Sequence, residues 1–236
     1  MSDADLRELG RRWRETGSVE DEAAWLRARV QAGELEQSRL ELAASLGSCP
    51  AAEAQSSALP VASLRVLLEQ ISSIGGRVLV RSLMAMGYAV LPVWKEEHPL
   101  SEEPVPLLSL TDAWLVGSAP DFCERTSARW EDATNLMLQS GGYASTRADR
   151  AYRLCLHAVS AAAWSCDGDT SPAECAIRKQ ECVSAYAEAC VGPDSLLSED
   201  SARAAIATEL VPWLLGYSDP VRDRVEARQR AEAAGG

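Results

Sequence analysis

The chain predicts an all-α protein, an antiparallel bundle or array of short to medium helices with no sheet. Three observations carry that expectation. Apolar residues recur at helical spacing over most of the length. Several of these stretches open on Ser, Thr or Asp beside a proline or an acidic residue, and several close near glycine. No window of alternating β-branched residues reads as a strand. At 236 residues, 47% hydrophobic and 25% charged, the chain can bury a real core and is not globally disordered.

The first helix, "DADLRELGRRWRET", places Leu6, Leu9 and Trp13 on one face. Gly17 stops it and Ser18 caps the next, with Glu20, Asp21 and Glu22 in the first turn, where the helix dipole favours negative charge. "AAWLRARVQAG" then puts Ala23, Leu26 and Val30 on a stripe with Trp25 beside it, ending at Gly33. The third, "ELEQSRLELAASLG", repeats the pattern with Leu35, Leu42 and Leu46 and ends at Gly47. Residues 1–47 therefore read as a three-helix unit. The small, polar residues 48–59 read as a linker or exposed loop, and 60–236 as a larger helical bundle.

Within that bundle the helical pattern returns as "VASLRVLLEQISSI", pauses at Gly75-Gly76, and continues through Val78, Leu79, Leu83 and Met86 to Trp94. The segment 78–94 is interrupted by Arg81, Gly87 and Pro92, and reads as a buried core helix rather than a membrane span. Further helices are expected in "PDFCERTSARWEDATNLMLQSGG", "STRADRAYRLCLHAVSAAAWSC", "SPAECAIRKQECVSAYAEAC" and "SEDSARAAIATELVPWLLGYS". Short connections between them favour antiparallel neighbours.

Composition narrows the partners. The formal charge is −12 and the pI about 4.7, so a phosphate backbone is repelled and no basic patch overrides the field. The expected partner is a protein, basic if the acidic surface steers it, with no nucleic acid and no membrane. "MSDADLRELGRRW" is charged from its third residue and lacks the apolar core of a signal peptide, which points to the cytoplasm.

No enzyme signature stands out. There are seven cysteines, six of them between Cys123 and Cys190, but no C-x-x-C and no histidine at zinc spacing. Cys175, Cys182 and Cys190 fall on one helical face and read as small apolar core residues. Cys166 and Cys175 bracket a loop and would pair only in an oxidising setting. His157 lies two residues from Cys155, about 200° away on a helix, so the two form no nucleophile and base pair locally. His98 sits among Glu96, Glu97, Glu102 and Glu103, a cluster that could hold a metal or an acid and base pair, or be a solvated turn. The Gly pairs at 75–76 and 141–142 lack the residues that cradle a phosphate. No cofactor or metal site is expected.

One segment carries a resemblance. A helix ending in "AVLPVWKEEHP", an acidic proline-bearing loop, and then "PLLSLTDAWLVGSAPDFCERTSARWEDA" resembles a family of all-helical bacterial immunity proteins, over about residues 78 to 170. The matching positions are Leu91, Trp94, Pro99, Pro104, Trp114 and Leu115. The chain departs from the pattern in having less alanine between 104 and 113 and in its many cysteines. The resemblance implies a bacterial helical protein that neutralises or regulates a partner by binding it, and it supplies no catalytic residues.

The residues themselves give the loop a structural task. Pro99, Pro104 and Pro106 restrict φ and stop the preceding helix, so the segment reads as a helical-hairpin corner that sets how Trp94 and Trp114 bury. The leading expectation is a non-enzymatic binding module whose acidic residues meet the partner. These are Glu20, Asp21 and Glu22 at one helix start, and Glu96, Glu97, Glu102 and Glu103 at the corner. A helical enzyme using the His98 loop and a structural subunit of a homo-oligomer are the alternatives.

Overall fold

A computed structural model of the chain describes residues 3–55, 62–101, 103–119, 121–122, 124–126, 146–166, 172–190 and 194–235. Among them eleven α-helices form and no strand, in keeping with the all-α expectation. The first four are α1 (Asp3–Thr16), α2 (Val19–Gln31), α3 (Gln37–Ser45) and α4 (Cys49–Gln55). Gly17 leaves α1 at φ +62°, a conformation costly for a side-chain-bearing residue. Ser18 caps α2, its hydroxyl oxygen accepting from the Asp21 amide at 3.1 Å.

The linker expected over 48–59 is not an exposed loop in its first half. Residues 49–55 form α4, with Ala51 and Ala54 buried against α2 and α3. The alanines that looked like loop composition are strong helix formers, and their small side chains let α4 lie close to its neighbours. Residues 56–61 lie outside the described residues. One apolar cluster runs from Ala23 through Ala51 and on to Val221, so the N-terminal helices share their core with the C-terminal ones.

The remaining helices are α5 (Leu64–Ile74), α6 (Gly76–Glu97), α7 (Val105–Leu115), α8 (Arg147–Cys166), α9 (Pro172–Glu188), α10 (Glu199–Leu214) and α11 (Pro220–Gly235). The helix expected between 120 and 142 lies almost wholly outside the described residues.

α6 is the axis of the fold. Every residue from Val78 to Gly87 is buried, because α5, α7, α8 and α10 all pack on it. It is the one described helix long and apolar enough to cross a membrane, and 67% of its apolar window is covered by the protein's own helices. α8 runs antiparallel to it, since Gly76 meets Ser165 at one end while Gly87 meets Cys155 further along. A Cβ on Gly87 would stand 3.5 Å from Leu108 Cδ2 and 3.8 Å from the Cys155 Cα, in ordinary contact with α7 and α8. The Cys155 thiol donates to the Gly87 carbonyl at 3.5 Å. Fully buried Tyr186 of α9 donates its hydroxyl to the Leu154 carbonyl at 2.5 Å, tying α9 to α8.

Candidate partner-binding surface

Which charges remain for a partner depends on which the fold has already used. The largest internal set joins α6, α7, α10 and α11. Asp112 of α7 is 0% exposed and accepts from Arg224 Nε at 3.1 Å and Nη2 at 2.9 Å, Arg228 Nη2 at 2.6 Å, and the Tyr88 hydroxyl at 2.7 Å. Arg224 also reaches Glu209 at 2.6 Å, and Arg81 makes two parallel bonds to Asp219 at 2.8 and 2.9 Å. Burial, with Asp112 adding to it, raises the Tyr88 phenol well above its usual range and keeps it a donor.

A second set of arginines closes the end of α10. The Trp213 ring lies under two guanidiniums, Arg39 at 4.7 Å and Arg81 at 4.5 Å. Arg39 and Arg29 donate to the Trp213 and Leu215 carbonyls, at 2.6 and 2.5 Å, satisfying acceptors at the helix's negative pole. The sequence reading missed this lattice, although a signal was present. Arg81, Asp112 and Glu209 each stand alone inside an apolar helical run, where a charge has to find a partner.

The two acidic clusters singled out from the sequence are spent unequally. Asp21 pairs with Arg12 at 2.8 Å and accepts the Thr16 hydroxyl at 2.7 Å, while Glu22 accepts the Tyr217 hydroxyl. Tyr217 in turn stacks with Trp13 and Trp25, which lie 4.6 Å apart. Only Glu20 of that trio is exposed. The cluster is therefore largely a brace between α2 and the turn after α10.

At the corner between α6 and α7 the balance is reversed. Glu96 and Glu97 are exposed and form no ion pair among the described residues, whereas Glu103 is half-buried and Glu102 lies outside the described residues. Leu100 is 96% exposed at the tip. The turn is braced from inside: Trp94 Nε1 donates to the Glu103 carbonyl at 2.5 Å, Lys95 Nζ donates to the Ser101 carbonyl, and His98 stacks on Trp94 at 3.9 Å. Trp94 itself is 4% exposed, with Tyr152 at 4.8 Å on its ring. Trp114 packs against the core as well but is less completely buried than Trp94. It is only half-buried, stacks on Phe122 at 5.5 Å, and lies under Arg77 at 5.3 Å. The two tryptophans belong to separate aromatic groups: Trp94 lies near the C-terminal end of α6, while Trp114 lies beside Arg77 at the opposite end.

Cys155 and Cys182 sit in the core, whereas Cys175 and Cys190, which the sequence also reads as core residues, are only partly buried and Cys49 is exposed. Burial pushes Cys155 and Cys182 up to about 12, so both are protonated thiols at neutral pH. Burial, followed by Arg153, also holds His157 below the usual histidine range and leaves it neutral. Among the described residues no three His, Cys, Asp or Glu side chains gather as metal ligands.

This is an all-α array in which one set of carboxylates and arginines is locked inside, while Glu96 and Glu97 are exposed at a braced corner. Comparison with protein-family models, curated proteins and solved structures finds no match to the chain.

Proposed function

We propose that the chain is a non-enzymatic binding module of immunity, inhibitor or adaptor type, acting in the cytoplasm by stoichiometric binding of a basic protein partner. The observation that carries this reading is the corner between α6 and α7. There Leu100 projects fully exposed beside two carboxylates that the fold leaves unpaired among the described residues. An apolar side chain with a charged rim is the arrangement of a protein contact, and a loop braced from within loses little entropy on binding. The net charge of −12 adds long-range attraction for a cationic surface.

The test begins with affinity capture from the native host, followed by kinetics on the purified partner. Glu96→Lys with Glu97→Lys should slow association about tenfold at low salt and flatten its salt dependence, because rim charges act on the on-rate. Leu100→Asp should mainly speed dissociation. A partner that binds both variants with wild-type kinetics places the contact elsewhere and removes the reading.

A further inference from the structure

A different part of the fold contains a cavity that the corner contact does not use. It lies where α6 begins, α8 ends and α9 starts, and has a volume of about 310 Å³. Leu79, Val80 and Ala161 give it apolar walls, at 1%, 0% and 6% exposure. Ser165, Cys175 and Lys179 supply its polar atoms, the last two one helical turn apart on α9. Its size is at the lower end of small-molecule sites, and apolar walls with a few convergent polar groups are what such sites share.

Among the described lining residues Lys179 carries the only charge, and no carboxylate faces it there. The choice of cation also stands out, since 21 of the 23 basic residues are arginine and only Lys95 and Lys179 are lysine. Lys95 is occupied at the corner, on the Ser101 carbonyl. Lys179 forms no ion pair among the described residues, and an ammonium at the rim of an apolar cavity offers a compact charge to an anion. Gly76 contributes by lacking a side chain. A Cβ there would meet Ser165 Oγ at 3.1 Å and crowd the space between α6 and α8.

We propose that this cavity binds a small amphipathic carboxylate, its apolar chain between Leu79, Val80 and Ala161 and its carboxylate on Lys179, since the Ser165 hydroxyl already donates to the Ala161 carbonyl at 2.8 Å. The inference is independent of the corner contact. Binding requires no covalent step, and Cys175 serves as a reporter because it lines the same space.

The experiment uses the full chain with octanoate as probe, and octanol and octylamine as head-group controls. Iodoacetamide labelling of Cys175 is followed by peptide mass spectrometry, with exposed Cys49 as an internal reference. Octanoate at ten times its dissociation constant should slow Cys175 labelling about tenfold by mass action while leaving Cys49 unchanged. Octylamine should protect far less. Lys179→Met should abolish the preference for octanoate over octanol, and Ala161→Leu should remove protection by all three. Circular dichroism confirms that each variant is folded, and Lys179→Met alone decides the matter if the filled variant is not. Unchanged Cys175 labelling at millimolar octanoate, equal protection by octylamine, or an unaltered preference in Lys179→Met would each overturn the proposal.

Discussion

Replacing Arg224 by Met tests whether the internal lattice holds α11 to the body of the protein. The guanidinium bridges Asp112, 0% exposed, and Glu209, whose side chain is 6% exposed; without it two buried carboxylates face each other. Arg228 still reaches Asp112 at 2.6 Å, and Arg81 still lies 3.8 Å from Glu209. A unit charge pair at about 4 Å is worth roughly 4 kcal/mol at the effective dielectric near a protein surface, and desolvation offsets part of that. Removing one member of a buried pair costs about 3–5 kcal/mol. Because Arg224 is 29% exposed, water already screens part of its charge, and the expected loss is at the lower end, about 3 kcal/mol.

For a chain of this size that corresponds to a fall in Tm of about 6–12 °C. The assay is urea unfolding followed at 222 nm, with the midpoint moving and the slope unchanged. Two companion variants make the result specific. Asp112→Asn keeps an acceptor oxygen and leaves two partly exposed arginines that water can reach, so it should cost less, about 1–2 kcal/mol. Arg230→Met, exposed on the same helix, should stay within about 0.5 kcal/mol. A loss below about 0.5 kcal/mol for Arg224→Met would show that the lattice behaves as a solvated surface pair, and a larger loss for Asp112→Asn than for Arg224→Met would refute the reasoning that the unpaired carboxylates carry the cost.

Trp94→Ala should cost about 3–5 kcal/mol, whereas half-buried Trp114→Ala should cost clearly less; equal losses by the same unfolding assay would contradict the burial difference. The pH dependence of stability should contain an acid limb from Asp219. Burial alone would raise its carboxyl, but the Arg81 guanidinium together with the Arg222 and Val221 amides outweighs burial and holds it below the usual range. A depressed folded pKa contributes stability that is present above the unfolded value of about 3.9 and lost as pH falls through the folded one. Arg81→Met should therefore flatten stability below about pH 4, and urea midpoints between pH 2 and 5 with an unchanged acid limb would refute the assignment.

Much of the helical architecture was legible because its causes are local. The caps and glycine stops around residues 16–33 act over a few residues, and the apolar periodicity of α6 needs only its own stretch of chain. The same local logic failed where composition is ambiguous, as in 49–55, where alanines serve a loop or a packed helix equally well until a neighbour covers them. It also failed for the site. From the sequence Glu20, Asp21 and Glu22 form one cluster, yet Tyr217, 195 residues from Glu22, and Arg12 have claimed two of them.

The internal ion pairs are the clearest division between the two levels. The sequence determined that Arg81, Asp112 and Glu209 lie in apolar helices, and hence that each needs a partner, because an unpaired charge cannot be buried cheaply. It could not name those partners. Arg81 meets Asp219 across 138 residues and Asp112 meets Arg224 across 112, and on their own helix the arginines of α11 look like an ordinary solvated basic face. Only the packing of α11 against α7 and α10 turns that face inward, and the packing likewise leaves Glu96, Glu97 and Leu100 outside, because a charge is spent or free according to which helix lies next to it.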